Sequence, residues 1–474
     1  MKKIQIQTSV KRMLADIYTP VGIYLRLRDK FRDTILLEST DNHASENSYS
    51  FIGINAIAGV EVKSLTTIEV KYPNENPVAL VLNKPNETID CLNSFLQRFE
   101  ASTSSAYAKE AGFAQGLYGY TSFDSVSLFD TMKLSNKQDN QHIALLRYRL
   151  YQYVIAFNHF KDELFICENV INGLESEATL VESLIKSKDV PTYPFELKGK
   201  EQANMQDEDY LKMVEKGIAS CQRGDVFQIV LSRAFEQQFI GDEFNMYRAL
   251  RSVNPSPYLF YFDYGNYKLM GSSPESQLLI KNGHAIVHPI AGTCLRTGND
   301  ALDKQATEAL LLDEKENAEH VMLVDLARND LSTICDNVQV NYFKQVHYYS
   351  HVIHLVSEVM GSVPNNSNSF TMLAKTFPAG TLSGAPKYKA IELIDKYEPT
   401  KRGFYGGALG FLGFDGSCNH AIMIRSLLSK NNTLHYQAGA GVVNASKPQN
   451  ELKEVENKLG AIRKALSLFD KKFD

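Results

Sequence analysis

The sequence predicts an α+β fold with largely antiparallel sheets, on three observations. Short alternations of apolar and polar residues fill the first half; strand runs in the second half follow one another through short turns; and no regular strand–helix–strand alternation calls for a parallel sheet. "AIAGVEV", "TIEVKYP" and "RLYQYVIAFNHFKDELFICENV" read as strands, with "NHFKDE" as a hairpin loop in the last. A helical stretch near 175–187 leads into "SKDVPTYPFELKGKEQANMQDEDY", which is polar, bears prolines and reads as a linker. Beyond it Leu211, Val214, Ile218 and Cys221 step by helical intervals, an amphipathic helix capped by Asp207 or Asp209. Further strands are expected in "VFQIVLSRAF", "PYLFYFDY", "ALGFLGF" and "LHYQAGAGVV", with helices at about 303–330, 348–360, 385–397 and 448–467.

A chain of 474 residues exceeds one ordinary core, so two domains or one elaborated domain are expected. The formal charge of −5 leaves no basic face, which argues against nucleic acid and for a small substrate. The six cysteines are far apart and form no zinc or disulfide pattern, as in a reducing compartment. The N-terminal "MKKIQIQTSVKRMLADIYTP" has no apolar core of signal-peptide length, and no run is long enough for a membrane helix. A cytoplasmic protein without membrane contact is the expectation.

Two helical stretches carry glutamates three apart: Glu316 and Glu319 in "DEKENAEH", Glu451 and Glu454 in "ELKEVENK". Such spacing stacks like charges on one face, at a penalty of a few tenths of a kcal/mol. Taken singly, each reads as an ordinary wet helix surface with lysine partners at i,i+4. The sharper reading is a hard divalent cation, because Mg²⁺ takes carboxylate oxygens and keeps waters for a substrate to displace.

Neighbouring stretches supply anion-binding groups. Gly439 and Gly441 of "QAGAGVV" let backbone N–H groups approach a carboxylate, although taken alone a bulge or strand end is the commoner explanation. In "AGTLSGAPK", Thr381 and Ser383 precede a proline at an expected helix start, a second cradle or a simple cap. Arg425 interrupts an apolar strand and needs an acidic partner. Lys458 adds a cation, and His351 and His354 share a face of the expected 348–360 helix. Together these groups suit a metal and a small acid carrying several negative charges.

"GDVFQIVLSR", "NPSPYLFYFD", "GSSPES", "HPIAGT", "DEKENAEHVMLVDLARNDL", "YYSHVIHLVSEV", "FPAGTLSGAPKYKAIELID", "YGGALGF" and "QAGAGVV" followed by "ENK" resemble the chorismate-utilising enzymes in order and register, over about 215–467. Upstream, "LLEST", "YSFIG" and "GLYGYTSFD" resemble the N-terminal domain of the anthranilate synthase component I branch. The resemblance implies a large, mainly antiparallel β-sandwich with helices packed outside. It places an N-terminal domain at 1–195, with part of a tryptophan site, and a chorismate-binding catalytic domain at 205–470.

It also implies roles for particular residues. Glu319 and Glu454 would be the core Mg²⁺ ligands, supported by Glu316 and Glu451, with the ion on the ring carboxylate of chorismate. Tyr405, Arg425, Gly439, Ala440, Gly441 and Lys458, with Gly292 and Thr293, would hold the substrate, Thr381 assisting. Glu275 would protonate the departing C4 hydroxyl, which requires a raised pKa, and His354 would serve the later loss of pyruvate. Gln228 stands where water-adding relatives use a lysine base and cannot take a proton, so water addition is not expected. Ala291 replaces the lysine typical of aminodeoxychorismate synthases. What remains is an ammonia-adding lyase that makes anthranilate through aminodeoxyisochorismate.

No cysteine here sits in the glycine-flanked elbow of a glutaminase nucleophile, so a separate amidotransferase subunit is implied as the ammonia source. Leu37, Glu38 and Ser39, with Asn254, Pro255, Ser256, Tyr258 and Leu259, resemble the two halves of a tryptophan feedback pocket. Ser48, where the family often has arginine, departs from that pattern. The chain contains no tryptophan, which suits an enzyme made when that amino acid is scarce. Two other readings stay open: aminodeoxychorismate synthase, and a silent subunit that binds tryptophan.

Overall fold

The computed structural model describes residues 2–39, 48–139, 141–348, 352–365 and 367–469. It has the expected α+β class, and among the described residues the sheet ladders are antiparallel except that joining Ile4–Leu14 to Phe99–Ser102. The hairpin read from "NHFKDE" is present, with Leu146–Asn158 paired to Glu163–Val170 in a register that sets Asn158 opposite Glu163.

The two halves of the chain interlock through shared β-ladders. Thr34–Glu38 pairs with Tyr258–Asp263, Glu38 opposite Leu259, and Gly116–Thr121 pairs with Ala408–Gly413, Leu409 opposite Tyr120. One buried apolar cluster accordingly draws on both halves, including Ile35, Tyr118, Tyr120, Tyr151, Phe260, Phe262 and Leu409. Polar contacts cross the same boundary. The Tyr120 and Tyr267 hydroxyls lie 2.8 Å apart, and Arg28 meets Asp242 through two bonds of 2.9 and 2.6 Å.

Four local expectations change. The polar stretch read as a linker contains a strand, Phe195–Ala203, paired with Gln228–Gly241, so its polar residues lie along a sheet edge. Asp207 is the first residue of the helix Asp207–Gln222 rather than its cap, and its carboxylate takes Arg233 at 2.5 Å. The helix expected at 303–330 is two helices, Asp300–Leu312 and Glu314–Ser332, divided at Asp313, whose side chain accepts from the Glu316 N–H at 3.0 Å.

The fourth change concerns 348–360, where Val352–Ser362 is a strand. It lies between Ile290–Leu295 on one side and Asp336–Tyr348 on the other, with most of its residues buried. A strand covered on both faces loses its alternation and reads as a continuous apolar run, which periodicity cannot distinguish from a buried helix. The shared helix face of His351 and His354 disappears with it, and His351 lies outside the described residues. The other helices stand as expected, at Ala178–Lys186, Lys387–Tyr397 and Pro448–Ser467, the last with proline in its first turn. No described helix is long and apolar enough to cross a membrane.

The paired strands Gln228–Gly241 and Thr433–Val443 set Ser232 opposite Gly439 and Val230 opposite Gly441. Helix Glu314–Ser332 brings Glu319 to Gln228 on this floor, and helix Pro448–Ser467 brings Glu454 to it through Lys458. The bidentate Arg28–Asp242 bond fastens the N-terminal half to the strand's far end. Replacing Arg28 by methionine leaves a carboxylate without its partner and is expected to lower unfolding free energy by about 2–4 kcal/mol in urea titrations.

Candidate active site

Glu275 sits in the short turn between the strands Lys268–Ser273 and Ser276–Lys281, pinned by its carbonyl accepting the Ile422 N–H at 3.0 Å. Its carboxyl Oε1 accepts the Thr381 hydroxyl at 2.9 Å. Burial raises its pKa to about 7, against the opposing pull of the Thr381 bond and of the cations Lys458 and Arg425. A carboxyl so poised holds its proton through roughly half of the molecules at neutral pH, the condition for a general acid.

Thr381 and Ser383 belong to a one-turn helix, Gly380–Ser383, ahead of Pro386, which itself precedes the helix Lys387–Tyr397. They therefore do not cap that helix: Thr381 turns to Glu275, and Ser383 donates to the Ala379 carbonyl at 2.9 Å. Arg425 lies between the strands Cys418–Ile422 and Ser426–Lys430 with φ of 48°. That left-handed conformation is strained for a residue with a side chain and recurs at functional sites. Burial lowers the pKa of its guanidinium, Glu275 acting in the other sense, and no described side chain makes a hydrogen bond or ion pair with it.

Lys458 donates to the Gly439 carbonyl at 2.9 Å and pairs with Glu454 at 2.7 Å. On the neighbouring strand the Gln228 amide donates to Glu319 at 3.3 Å. Gly439 and Gly441 leave open the room these groups use. A Cβ at Gly439 would stand 3.1 Å from the Tyr405 hydroxyl, and one at Gly441 would stand 2.6 Å from Gln228 Nε2. Ala440 points the other way, into the apolar core, so only its backbone can face a ligand. Tyr405 is buried, which raises its hydroxyl pKa.

His354 stands on the central strand opposite Thr293, with the Gly292 backbone in hydrogen-bond contact. Burial, and then the Arg425 charge, depress its pKa to about 4, so the imidazole is neutral at physiological pH. Glu275, Thr381, Arg425, Lys458, His354, Tyr405, Gln228, Gly439 and Gly441 are thus linked in one site by the contacts and charge interactions described.

Glu319 and Glu454 reach the same pair of strands, one through Gln228 and one through Lys458. Glu451 is buried and Glu316 half-buried. Among the described residues no three His, Cys, Asp or Glu side chains are grouped to hold an ion, so the four-carboxylate cluster is not assembled in this structure. The donor chemistry nonetheless fits Mg²⁺, which commonly binds through one or two carboxylates and completes its shell with water and ligand oxygens.

The two segments read as a tryptophan pocket lie side by side at the boundary between the halves. Glu38 stands opposite Leu259 and Leu37 opposite Phe260. The Glu38 carboxylate is already held by Tyr247 at 2.7 Å and by Arg251 at 2.9 and 3.0 Å. Asn254 bonds the Ser272 hydroxyl at 3.0 Å and Ser256 bonds the Ser273 carbonyl at 2.9 Å, which fastens the Pro255 turn beside half-buried Tyr258 and Ser39.

Sequence reasoning passed over His288. It lines a cavity of about 40 Å³ with Glu275 and Thr381, and its Nε2 lies 3.2 Å from Glu358. It also missed Glu398 and Arg402, buried in a stretch, "YEPTKRG", that reads as an exposed turn. The available signal for His288 was its place at the head of "HPIAGT".

A central antiparallel sheet sets the Glu275 carboxyl against the Thr381 hydroxyl and within reach of the Lys458 and Arg425 charges, an arrangement that suits an enzyme acting on a small anionic molecule. The profile of the chorismate binding enzymes matches residues 46–464, and the chain belongs to that family. Relatives that match it over nearly their full length include anthranilate synthase component 1 proteins. That of Thermus thermophilus is 36% identical over 465 residues, covering 97% of each chain, and that of Aquifex aeolicus is 34% identical, covering 96% of this chain and 94% of its own. The crystal structure of anthranilate synthase component I from Streptococcus pneumoniae superposes with a TM-score of 0.74 at 30% identity, over 96% of this chain and 99% of the other. The menaquinone-specific isochorismate synthase MenF of Escherichia coli shares the fold, with a TM-score of 0.72 at 19% identity over 98% and 96% of the two chains.

Arg425 is half-buried, and only the Glu275 charge opposes the desolvation of its guanidinium, which costs the free protein stability. Arg425→Met is therefore expected to raise the melting temperature without ligand by about 1–3 °C, read by calorimetry, while weakening binding of an anionic substrate.

Proposed function

We propose that the protein converts chorismate and ammonia to anthranilate and pyruvate through aminodeoxyisochorismate, the first committed step of tryptophan synthesis. The observation that carries this reading is the Glu275 carboxyl, poised near neutrality and ringed by Thr381, Lys458 and Arg425.

Arg425 and Lys458 bind substrate carboxylates, and the open backbone at Gly439 to Gly441 admits them, with Tyr405 and the Gly292–Thr293 backbone completing the walls. Glu319 and Glu454, backed by Glu316 and Glu451, would hold Mg²⁺, which when bound supplies Lewis-acid stabilisation of carboxylate charge. Glu275 gives its proton to the C4 hydroxyl, which leaves as water while ammonia adds at C2. In the second step the C2 proton is removed and the enolpyruvyl group departs as pyruvate, with neutral His354 beside it as a hydrogen-bonding group. Gln228, an amide donating to Glu319, cannot activate water, which supports ammonia as the nucleophile.

Ammonia comes from glutamine through an amidotransferase subunit, the second component that the name of the relatives implies. Tryptophan binds at the Glu38–Leu259 boundary and inhibits by feedback. Six free cysteines suit a reducing cytoplasm.

Purified protein given chorismate, a magnesium salt and ammonium salt is expected to release anthranilate and pyruvate in equal amounts. Accumulation of aminodeoxychorismate without anthranilate, or tryptophan binding without turnover, would overturn the reading. Glu275→Gln is expected to lower kcat by on the order of 10²–10⁴. Glu319→Ala and Glu454→Ala should each abolish turnover with melting temperature preserved; full activity in either would sink the metal assignment.

A further inference from the structure

Arg402 is among the largest fully buried side chains, and its partner Glu398 is buried with it. Arg402 Nε and Nη2 donate to the two Glu398 oxygens at 2.9 and 2.6 Å. Its remaining donors reach main-chain carbonyls of two other segments: Leu382 at 2.6 Å and Val230 at 2.7 Å. The guanidinium lies 4.6 Å from the Phe123 ring centroid and 5.7 Å from that of Tyr405.

Glu398 is equally committed. Its Oε1 accepts both the Ser232 N–H, at 2.8 Å, and the Ser232 hydroxyl, at 2.7 Å. Because that hydroxyl proton goes to a carboxylate, the Ser232 oxygen is left to accept, and it does so from the Gln437 amide at 2.7 Å. The chain from Arg402 through Glu398 and Ser232 to Gln437 has each donor and acceptor in a fixed sense.

A buried ion pair is weak grounds for stability, since desolvation offsets much of the attraction. What this pair does is tie together three pieces of the site. Leu382 follows Thr381, Val230 and Ser232 lie on the Gln228 strand opposite Gly441 and Gly439, and Tyr405 stands on Gly439. We propose that Glu398 and Arg402 are positioning residues for the reaction, holding the Thr381 turn against the Gln228 strand and so fixing where Thr381 meets the Glu275 carboxyl. The inference rests on the proposed function, because its consequence is read in the rate of anthranilate formation.

The test replaces both charges by apolar groups of similar volume, Glu398→Leu with Arg402→Met, which leaves no lone buried charge. The double variant is expected to fold, with kcat down about 100-fold, as displacements near 1 Å produce, and KM for chorismate changed less than about threefold, because Arg425 and Lys458 remain. The alkaline limb of the kcat profile should move to higher pH, since Glu275 loses the Thr381 bond that holds its pKa down; a role confined to stability would not move it. Arg402→Lys keeps the charge but cannot reach Leu382, Val230 and Glu398 together, and should show the same shift. A folded double variant with unaltered kcat and pH limb overturns the proposal, as does failure of both variants to fold, which would make the pair a structural requirement. Absence of anthranilate from the unaltered protein would instead sink the proposed function.

Discussion

The site depends on half-burying one carboxyl, that of Glu275, enough to raise its pKa without leaving it a permanent acid. Burial alone raises a carboxyl pKa, while nearby cations and hydroxyl donors lower it. Here the two influences meet near neutrality, because Thr381 makes a single bond and Lys458 divides its charge between Glu454 and the Gly439 carbonyl. Stronger cationic contact would leave a permanent carboxylate. Full exclusion of charge would leave an acid too weak to give up its proton.

That balance explains the awkward state of Arg425. Its backbone is left-handed, the residue is half-buried with its guanidinium desolvated, and no described side chain makes a hydrogen bond or ion pair with it. A protein selected for stability alone would not hold a cation so. An anion-binding site would gain from it: in the proposed function the missing partner is a substrate carboxylate, and the strain is already present before binding. The interlocked ladders supply the rigidity: strands of the first half pair directly with strands of the second, so the turn holding Glu275 and the break holding Arg425 rest on one continuous sheet.

Local pattern made the outer parts of the fold legible. Pro448 and the helical spacing after it marked the last helix, and the polar "NHFKDE" marked a hairpin, because both signals are local in origin. The strand Val352–Ser362 was misread because tertiary burial on both faces erases its alternation, and Phe195–Ala203 because an edge strand is polar by necessity. Within the site, Arg425 was visible as a charge in an apolar run, and Gly439 and Gly441 as openings. Glu275 was recognisable only by resemblance: nothing in "GSSPES" shows that the turn is partly withdrawn from water. Arg402 was hidden for the converse reason, a charged residue in a turn-like stretch that tertiary packing encloses completely.

The protonation of Glu275 can be observed without turnover. Carbon-13 NMR of the glutamate carboxyl groups, with Glu275→Gln identifying the resonance, gives its titration in the free protein. A midpoint near 7 is the expected result. A midpoint near the usual 4.5 for this side chain would show a carboxylate already ionised at neutral pH, unable to act as the acid, and would contradict the account at its centre.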